Sequence, residues 1–531
     1  MSSERYNIST TALLIGVPVL VGASCYYLYF TRNKSSSSKV KADNKKLSPS
    51  EQLAQIKKIG NQYFARKNYD VAIEHYTKAI DLASTLDISI EPDVLAVFYQ
   101  NRAACNEALS QYDKVIEDCD RAIQLNKSYT KAYLRRARAL EKLSRYDEAM
   151  VDAFAANILE KFQNQASMVL TDNIVRASSQ VKASEAMKKH KFDWPSNHAI
   201  TAFFSAFTHD PIIEKLGGET IKSPQQLQPI WDEAKKPEND QDPMSLLIRG
   251  SCLYLMGDAQ SAQEALDKLL AIDDSNCSPR MKANALIKKS AMLVSEPSSS
   301  NSTIEKDLES VNEMIERSIK LDPENPDVYL HKAQALLLSE KLDEASETLD
   351  KAIALKSDFH SATAQKFYIQ FKLATRDSAS SSALQDLLDE FKSTVEQNPG
   401  AFDLHQTYAQ ALVEMGYFEQ ADQLLLNLAK ANPTDGNIHI SRALLQVHLQ
   451  SGPEAIANYL HEALKVDPKI IYAYEVLGSI ESQRGRHDEA IRIFEKALDY
   501  ANSEAVYARC FSQLDSAKGH MAAMKLLGMQ T

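Results

Sequence analysis

From residue 51 onward the chain keeps restating one pattern, and this limits its possible folds more than any other feature. The stretches "GNQYFARKNYDVAIEHYTKAI", "AACNEALSQYDKVIEDCDRAI", "ARALEKLSRYDEAMVDAFAAN" and "GSIESQRGRHDEAIRIFEKAL" align with one another. Each reads as a helix, a break near a tyrosine or glycine, and a second helix with small residues at fixed offsets. Ala149 follows Val115 by 34 positions, and Pro468 follows Pro433 by 35. One such hairpin cannot bury its apolar faces alone, so successive hairpins must stack into a superhelix with a concave surface.

A helical hairpin recurring every 34 residues or so is the tetratricopeptide (TPR) repeat. Units fall near 53–86, 96–129 and 130–160, and again near 243–275, 280–325, 326–359, 361–399, 402–435, 436–469 and 471–502. The unit at 280–325 is stretched by the polar loop "SEPSSSNSTIEKD", and the final "EAVYARCFSQLDSAKGHMAAMKLLG" suits a capping pair of helices. Residues 161–242 lose the pattern. They hold the apolar "AITAFFSAF" and the turn-rich "IKSPQQLQPIWDEAKKPENDQD", and read as a helical connector. No alternating strand pattern competes. The expected fold is all-α: a TPR superhelix in two arrays, 51–160 and 243–531, joined by the connector 161–242.

The N-terminus has a different character. Residues 6–31, "YNISTTALLIGVPVLVGASCYYLYFT", carry no charge. About 20 apolar residues suffice to cross a bilayer as a helix, and Tyr26, Tyr27 and Tyr29 are placed for the headgroup level. Arg32, Lys34, Lys39, Lys41, Lys45 and Lys46 follow, against the single acid Asp43. Positive flanks stay on the cytosolic side, so a single transmembrane anchor with the large domain in the cytosol is expected. Small residues in "VGASC" admit a cleaved signal peptide, but its basic residues would precede the apolar run. A short span of modest hydrophobicity with a basic flank suits the mitochondrial outer membrane; the endoplasmic reticulum surface meets the same physical requirement. Residues 32–50, "RNKSSSSKVKADNKKLSPS", have no apolar face and read as a flexible tether.

Composition removes several functional classes. A formal charge of -11 argues against a nucleic-acid binder, which would be basic. The six cysteines, Cys25, Cys105, Cys119, Cys252, Cys277 and Cys510, form no CxxC and no disulfide framework, as suits a reducing compartment. The twelve histidines are scattered without an HExxH or Cys/His cluster, so neither a metal nor another cofactor is expected. No P-loop, GxSxG or paired catalytic constellation appears, and no catalytic residue or enzymatic activity is expected.

Against that acidic background, "TKAYLRRARALEKLSRYDEA" places Arg135, Arg136 and Arg138 within four residues. On a common repeat frame, Lys57 and Asn61 lie one turn apart on the first helix of repeat one. Asn101 lies on the first helix of repeat two, and Lys131 and Arg135 on that of repeat three. First helices line the concave face of such a stack, so these five side chains converge. Any one of them alone is an ordinary solvated residue. Together they give three cations and two carboxamides with no acid among them, a receptor for carboxylates. Arginine grips an oxygen pair and lysine acts as a point charge. Arg136 is left outside the group, as a partner for an acid on a neighbouring helix.

This constellation resembles the dicarboxylate clamp of chaperone-binding TPR domains. Such clamps grip the C-terminal EEVD tails of the seventy- and ninety-kilodalton heat-shock chaperones. The full layout of anchor, tether, three-repeat clamp, connector and seven further repeats resembles the seventy-kilodalton Tom receptor family of the mitochondrial outer-membrane translocase. The motifs "GNQYFARKNYDVAIEHYTKAI", "YQNRAAC" and "KAYLRRARAL" carry the resemblance, with "AITAFFSAF" adding to it. It implies the chaperone-tail residues Lys57, Asn61, Asn101, Lys131 and Arg135. It also implies mitochondrial precursors, notably multi-span carriers, and the other translocase subunits as partners. A TPR co-chaperone anchored on the endoplasmic reticulum is the rival reading. The sequence departs from the usual pattern at Ala103 and Asn106, where repeat two would carry a glycine and an aromatic.

The resemblance puts the precursor groove in the C-terminal array, where no individual residue transfers. Residues 251–531 hold 41 acidic against 27 basic residues, which would draw basic targeting segments or simply confer solubility. On this reading the two arrays act separately, and a fragment ending before Pro243 is expected to keep its tail-binding groove.

Overall fold

The structure is a computed structural model that describes residues 48–85, 91–218, 221, 223–295, 304–376 and 381–529. The expected anchor at 6–31 and nearly all of the tether lie outside the described residues. Among the described residues, no helix is long and apolar enough to cross a membrane, and there is no strand.

Three helical hairpins open the fold: α1 (Pro49–Ala65) with α2 (Tyr69–Thr85), α3 (Pro92–Ala108) with α4 (Tyr112–Leu125), and α5 (Thr130–Lys142) with α6 (Tyr146–Leu159). The first helix begins two residues before the boundary read from sequence, because Ser48 and Glu51 form a capping box ahead of Pro49. Within each hairpin the two helices cross at a small residue. A Cβ at Gly60 would come within 2.6 Å of Tyr76 Cε1, and one at Gly478 within 2.3 Å of Phe494 Cε1. Repeat two has Ala103 at this place, and the residue across from it is the small Cys119; both are fully buried in one cluster. A larger first partner is thus matched by a smaller second one. Asn106, at the usual aromatic position, is buried and donates to Asp118 Oδ2 at 3.2 Å, so its polarity is satisfied.

Eight of the described turns between paired helices share one conformation. Lys67, Ser110, Ser144, Gly257, Glu340, Gly416, Gln450 and Gly485 all have φ between 52° and 95°. The three glycines adopt this left-handed conformation freely, whereas the other side chains are strained there.

The connector splits into two parts with different allegiances. Its first helix, α7 (Gln165–Lys188), packs on α6 and puts Ile174 and Val175 into a core with Ala137, Leu140 and Ala149. The later helices α8 (Asn197–Ser205), α9 (Pro211–Lys215) and α10 (Pro224–Ala234) instead share a core with α11 (Pro243–Leu255). The "AITAFFSAF" stretch is α8 and its exit, and it encloses a cation. Lys288, on α13 (Pro279–Ser295), is fully buried and stands 2.6 Å from the equally buried Asp210. Its Nζ lies 3.9 Å from the Phe207 ring centre and 4.7 Å from that of Phe203. A buried lysine needs such a partner, and the ring faces add cation–π attraction. Thr208 and His209 meanwhile donate backbone hydrogen bonds to the buried Asp327 at 2.8 and 3.0 Å.

The remaining array continues as hairpins. After α12 (Ala259–Leu270), which pairs with α11, come α14 (Ile304–Leu321), α15 (Pro326–Leu338), α16 (Leu342–Leu355), α17 (His360–Arg376) and α18 (Ser381–Gln397). Then follow α19 (Phe402–Glu414), α20 (Phe418–Ala431), α21 (Asn437–His448), α22 (Pro453–Val466), α23 (Ile471–Gln483) and α24 (His487–Leu498). A helix pair occupies each expected repeat unit.

The expected capping pair is instead one continuous helix, α25 (Glu504–Leu526). Gly519, inside this helix, is a point of close approach: a Cβ there would lie 2.8 Å from the Phe154 ring. Besides following α24, α25 packs on α6 and α7. Ala523 joins the same core as Ala155 and Ala156. Asp515 accepts from Ser178 Oγ at 2.8 Å and from Lys182 Nζ at 2.7 Å, and Lys182 also reaches Asp147 at 2.7 Å. The last helix therefore completes the surface of the first domain, and the two arrays are not separate bodies.

Candidate functional site

The first helices of the first three hairpins carry the five expected residues: Lys57 and Asn61 on α1, Asn101 on α3, Lys131 and Arg135 on α5. The two carboxamides meet. The Tyr76 hydroxyl donates to Asn61 Oδ1 at 2.7 Å, and Asn101 Nδ2 lies 3.5 Å from the same oxygen. Burial pushes the Tyr76 pKa up to about 12, so this donor keeps its proton at any ordinary pH. With its oxygen held in this way, Asn61 has its NH₂ left to donate, which is the polarity a carboxylate requires.

Arg135 is tied to α3. Its Nη1 donates to the backbone carbonyl of Gln100, next to Asn101, at 3.1 Å, and its Nε donates to Glu107 Oε2 at 2.7 Å. Asn61, Asn101 and Arg135 are thus linked across three helices. Lys57 and Lys131 sit one turn before Asn61 and Arg135. Neither forms an ion pair among the described residues, Lys131 being exposed and Lys57 half-buried.

The acid-free group expected from sequence needs one correction, since Glu107 stands against Arg135. Gln100 and Glu107 are two turns apart on one stripe of α3, and the stripe faces α5. Nothing periodic marks an acid on that stripe, so the sequence carried no signal for it.

Arg136 belongs to a different construction. Its Nε and Nη2 donate to the two oxygens of Asp152, each at 2.6 Å, while Nη1 bonds to Asp120. One repeat earlier, Arg102 grips Asp118 in the same bidentate manner, with Nη2 to Oδ1 at 2.7 Å. Burial opposes the charge on Arg136, but the hydrogen bonds and charges of Asp152 and Asp120 outweigh it and hold the guanidinium pKa above its ordinary value. These paired arginines bind the two helices of a hairpin together and are not available to a ligand.

Further along, the array exposes apolar side chains. Leu444 and Val447 share one face of α21, and Tyr472 opens α23; all three are well exposed. A cleft of about 400 Å³ lies between α8 and the first turns of α17 and α19, lined by His198, Thr201, Ser361, Asp403 and Gln406 among others. The five described cysteines are free and buried. Burial pushes Cys105 and Cys252 up to about 12, so neither is a nucleophile at neutral pH.

Repeated hairpins, shared turn geometry and helix pairs closely packed at a small residue define a tetratricopeptide-repeat protein. Two segments, residues 303–366 and 471–504, match tetratricopeptide repeat families. Along nearly its full length the chain is 30% identical to the human protein "Mitochondrial import receptor subunit TOM70", covering 98% of this chain and 93% of that one. The Saccharomyces cerevisiae protein of the same name is 25% identical over 87% of this chain and 79% of its own. The crystal structure of the yeast Tom70 aligns with 22% identity over 89% of this chain and 96% of that one, with a TM-score of 0.46. The chain belongs to the TOM70 family of mitochondrial import receptor subunits.

Proposed function

We propose that this protein is a receptor on the mitochondrial outer membrane. It docks cytosolic chaperones by their acidic C-terminal tails and receives precursor proteins for transfer to the import pore. The observation that carries the docking step is the pair of contacts Asn61–Asn101 and Arg135–Gln100, which tie α1, α3 and α5 together, flanked by Lys57 and Lys131. Its donors suit a terminal carboxylate and a neighbouring acidic side chain. Hydrogen bonds to charged groups contribute about 1.5–3 kcal/mol each before the entropy of ordering is subtracted. Such a site holds a short EEVD tail at micromolar strength. The acidic array, with exposed Leu444, Val447 and Tyr472, supports a surface for basic, apolar precursors such as multi-span carriers.

The test is calorimetry of the full chain with a peptide ending in EEVD. Wild type binds and Arg135→Ala loses about tenfold or more; equal binding by both would remove the clamp. Location is tested by fusing residues 1–46 to a reporter. Reporter at mitochondria and open to added protease supports the reading, while a reticular pattern favours the anchored co-chaperone.

A further inference from the structure

The geometry points to Glu107 as a positioning residue that holds Arg135 ready for the ligand, with Arg138 offsetting its charge. This rests on the carboxylate-binding reading of the groove and adds a residue to it. An arginine side chain has substantial rotamer entropy to lose when a ligand fixes it. Here that freedom is already reduced. The guanidinium is clasped at two points along α3, by the Glu107 carboxylate on Nε and the Gln100 carbonyl on Nη1. The Arg135 side chain is only 17% exposed.

Two features favour positioning over competition with the ligand. Glu107 uses one oxygen on Nε and does not take the fork of Nη1 and Nη2 that a bidentate carboxylate prefers. Among the described residues Nη2 makes no hydrogen bond, so a second carboxylate has N–H groups to bind without displacing the first. Glu107 also brings a negative charge that would repel an acidic tail. Arg138 answers it, with Nη1 3.8 Å from Glu107 Oε1 and nearly half of its side chain exposed. Arg135, Glu107 and Arg138 together keep a net positive charge, so Arg135 is held in place while the groove stays attractive to anions.

The experiment is a double-mutant cycle in the full chain, with a fluorescent peptide ending in EEVD as the probe. Glu107→Ala weakens binding about fivefold, while Glu107→Gln, which keeps an acceptor for Nε, restores most of it. In an Arg135→Ala background, Glu107→Ala has no further effect, because it acts only through Arg135. A merely structural role would persist in that background. Tighter binding by both Glu107 variants would overturn the proposal and make Glu107 a competitor.

A second measurement needs no ligand. Modification of Arg135 by an arginine-selective dicarbonyl, followed by mass spectrometry, speeds up in Glu107→Ala relative to wild type. Unchanged reactivity would sink the positioning role. Should wild type fail to bind the peptide at all, the clamp reading falls, and this reactivity still decides whether Glu107 holds Arg135.

Discussion

The first three repeats and the array that follows are built from the same hairpin, yet they place charge differently. In the first domain, half-buried arginines grip buried acids and join the two helices of a hairpin: Arg102 to Asp118 and Arg136 to Asp152. That leaves Lys57, Lys131 and Arg135 on the first helices. In the array the main buried cation is Lys288, and its partner Asp210 comes from the connector. One region uses charge to close its second and third repeats and present a groove. The other uses it to fasten an irregular segment across several repeats. An arginine in such a fold therefore has no meaning by itself; its register against the facing helix decides whether it is scaffold or site.

The sharpest way to break this contrast is to remove the fastening. Lys288→Met leaves Asp210 buried without its partner, and truncating one member of such a pair costs about 3–5 kcal/mol. Denaturant unfolding of the full chain should show that loss, while α1 to α5 keep their amide-exchange protection. An equal loss of protection in both regions would mean that they unfold as one unit.

A pH series separates the regions next. Burial, helped by the nearby Lys288 charge, lowers His331 to about 4 from an ordinary 6.5. The unfolded chain then binds the extra proton between these values, so array stability falls as pH drops from 6.5 towards 4. The slope is at most about 1.4 kcal/mol per pH unit. His331→Gln should flatten it in a urea titration followed at several pH values.

Smaller still is the salt test of the groove. Binding of an acidic tail weakens as salt rises from about 0.05 to 0.5 M, because screening acts on Lys57 and Lys131. A salt-independent affinity would mean that apolar contacts dominate. The smallest effect comes from the turns. Ser144→Gly relieves a left-handed φ of 58° and should stabilise the first domain by up to about 1 kcal/mol, read as a rise in its unfolding midpoint. The same change at Gln450 should act on the array alone.

The hairpins were legible in the sequence because a spacing of 34 or so survives wherever a small residue must meet its partner across two helices, as at Gly60 and Tyr76. Lys57, Asn61, Asn101 and Arg135 could be placed on first helices from that register alone. Glu107 was not legible, since an acid on a helix surface has no periodic mark and its meaning depends on which stripe faces α5. Lys288 was hidden for another reason: lysine is so rarely buried that nothing local announces it, and its partner lies on a segment without a repeat. The single last helix, where a capping pair was expected, turns on Gly519. In a helix it reads as a breaker, but here the missing side chain admits the Phe154 ring, and the helix continues through it.

That continuity bears on how the protein is made. Ser178 and Asp515 are bonded across a sequence separation of 337. A ribosome adding about 5–20 residues per second needs roughly 20–70 s to pass from the end of α7 to the end of α25. Through that interval the apolar flank of α6, with Phe154, Ala155 and Ala156, has emerged without the helix that covers it. The growing chain thus carries an open greasy seam until its own last helix arrives.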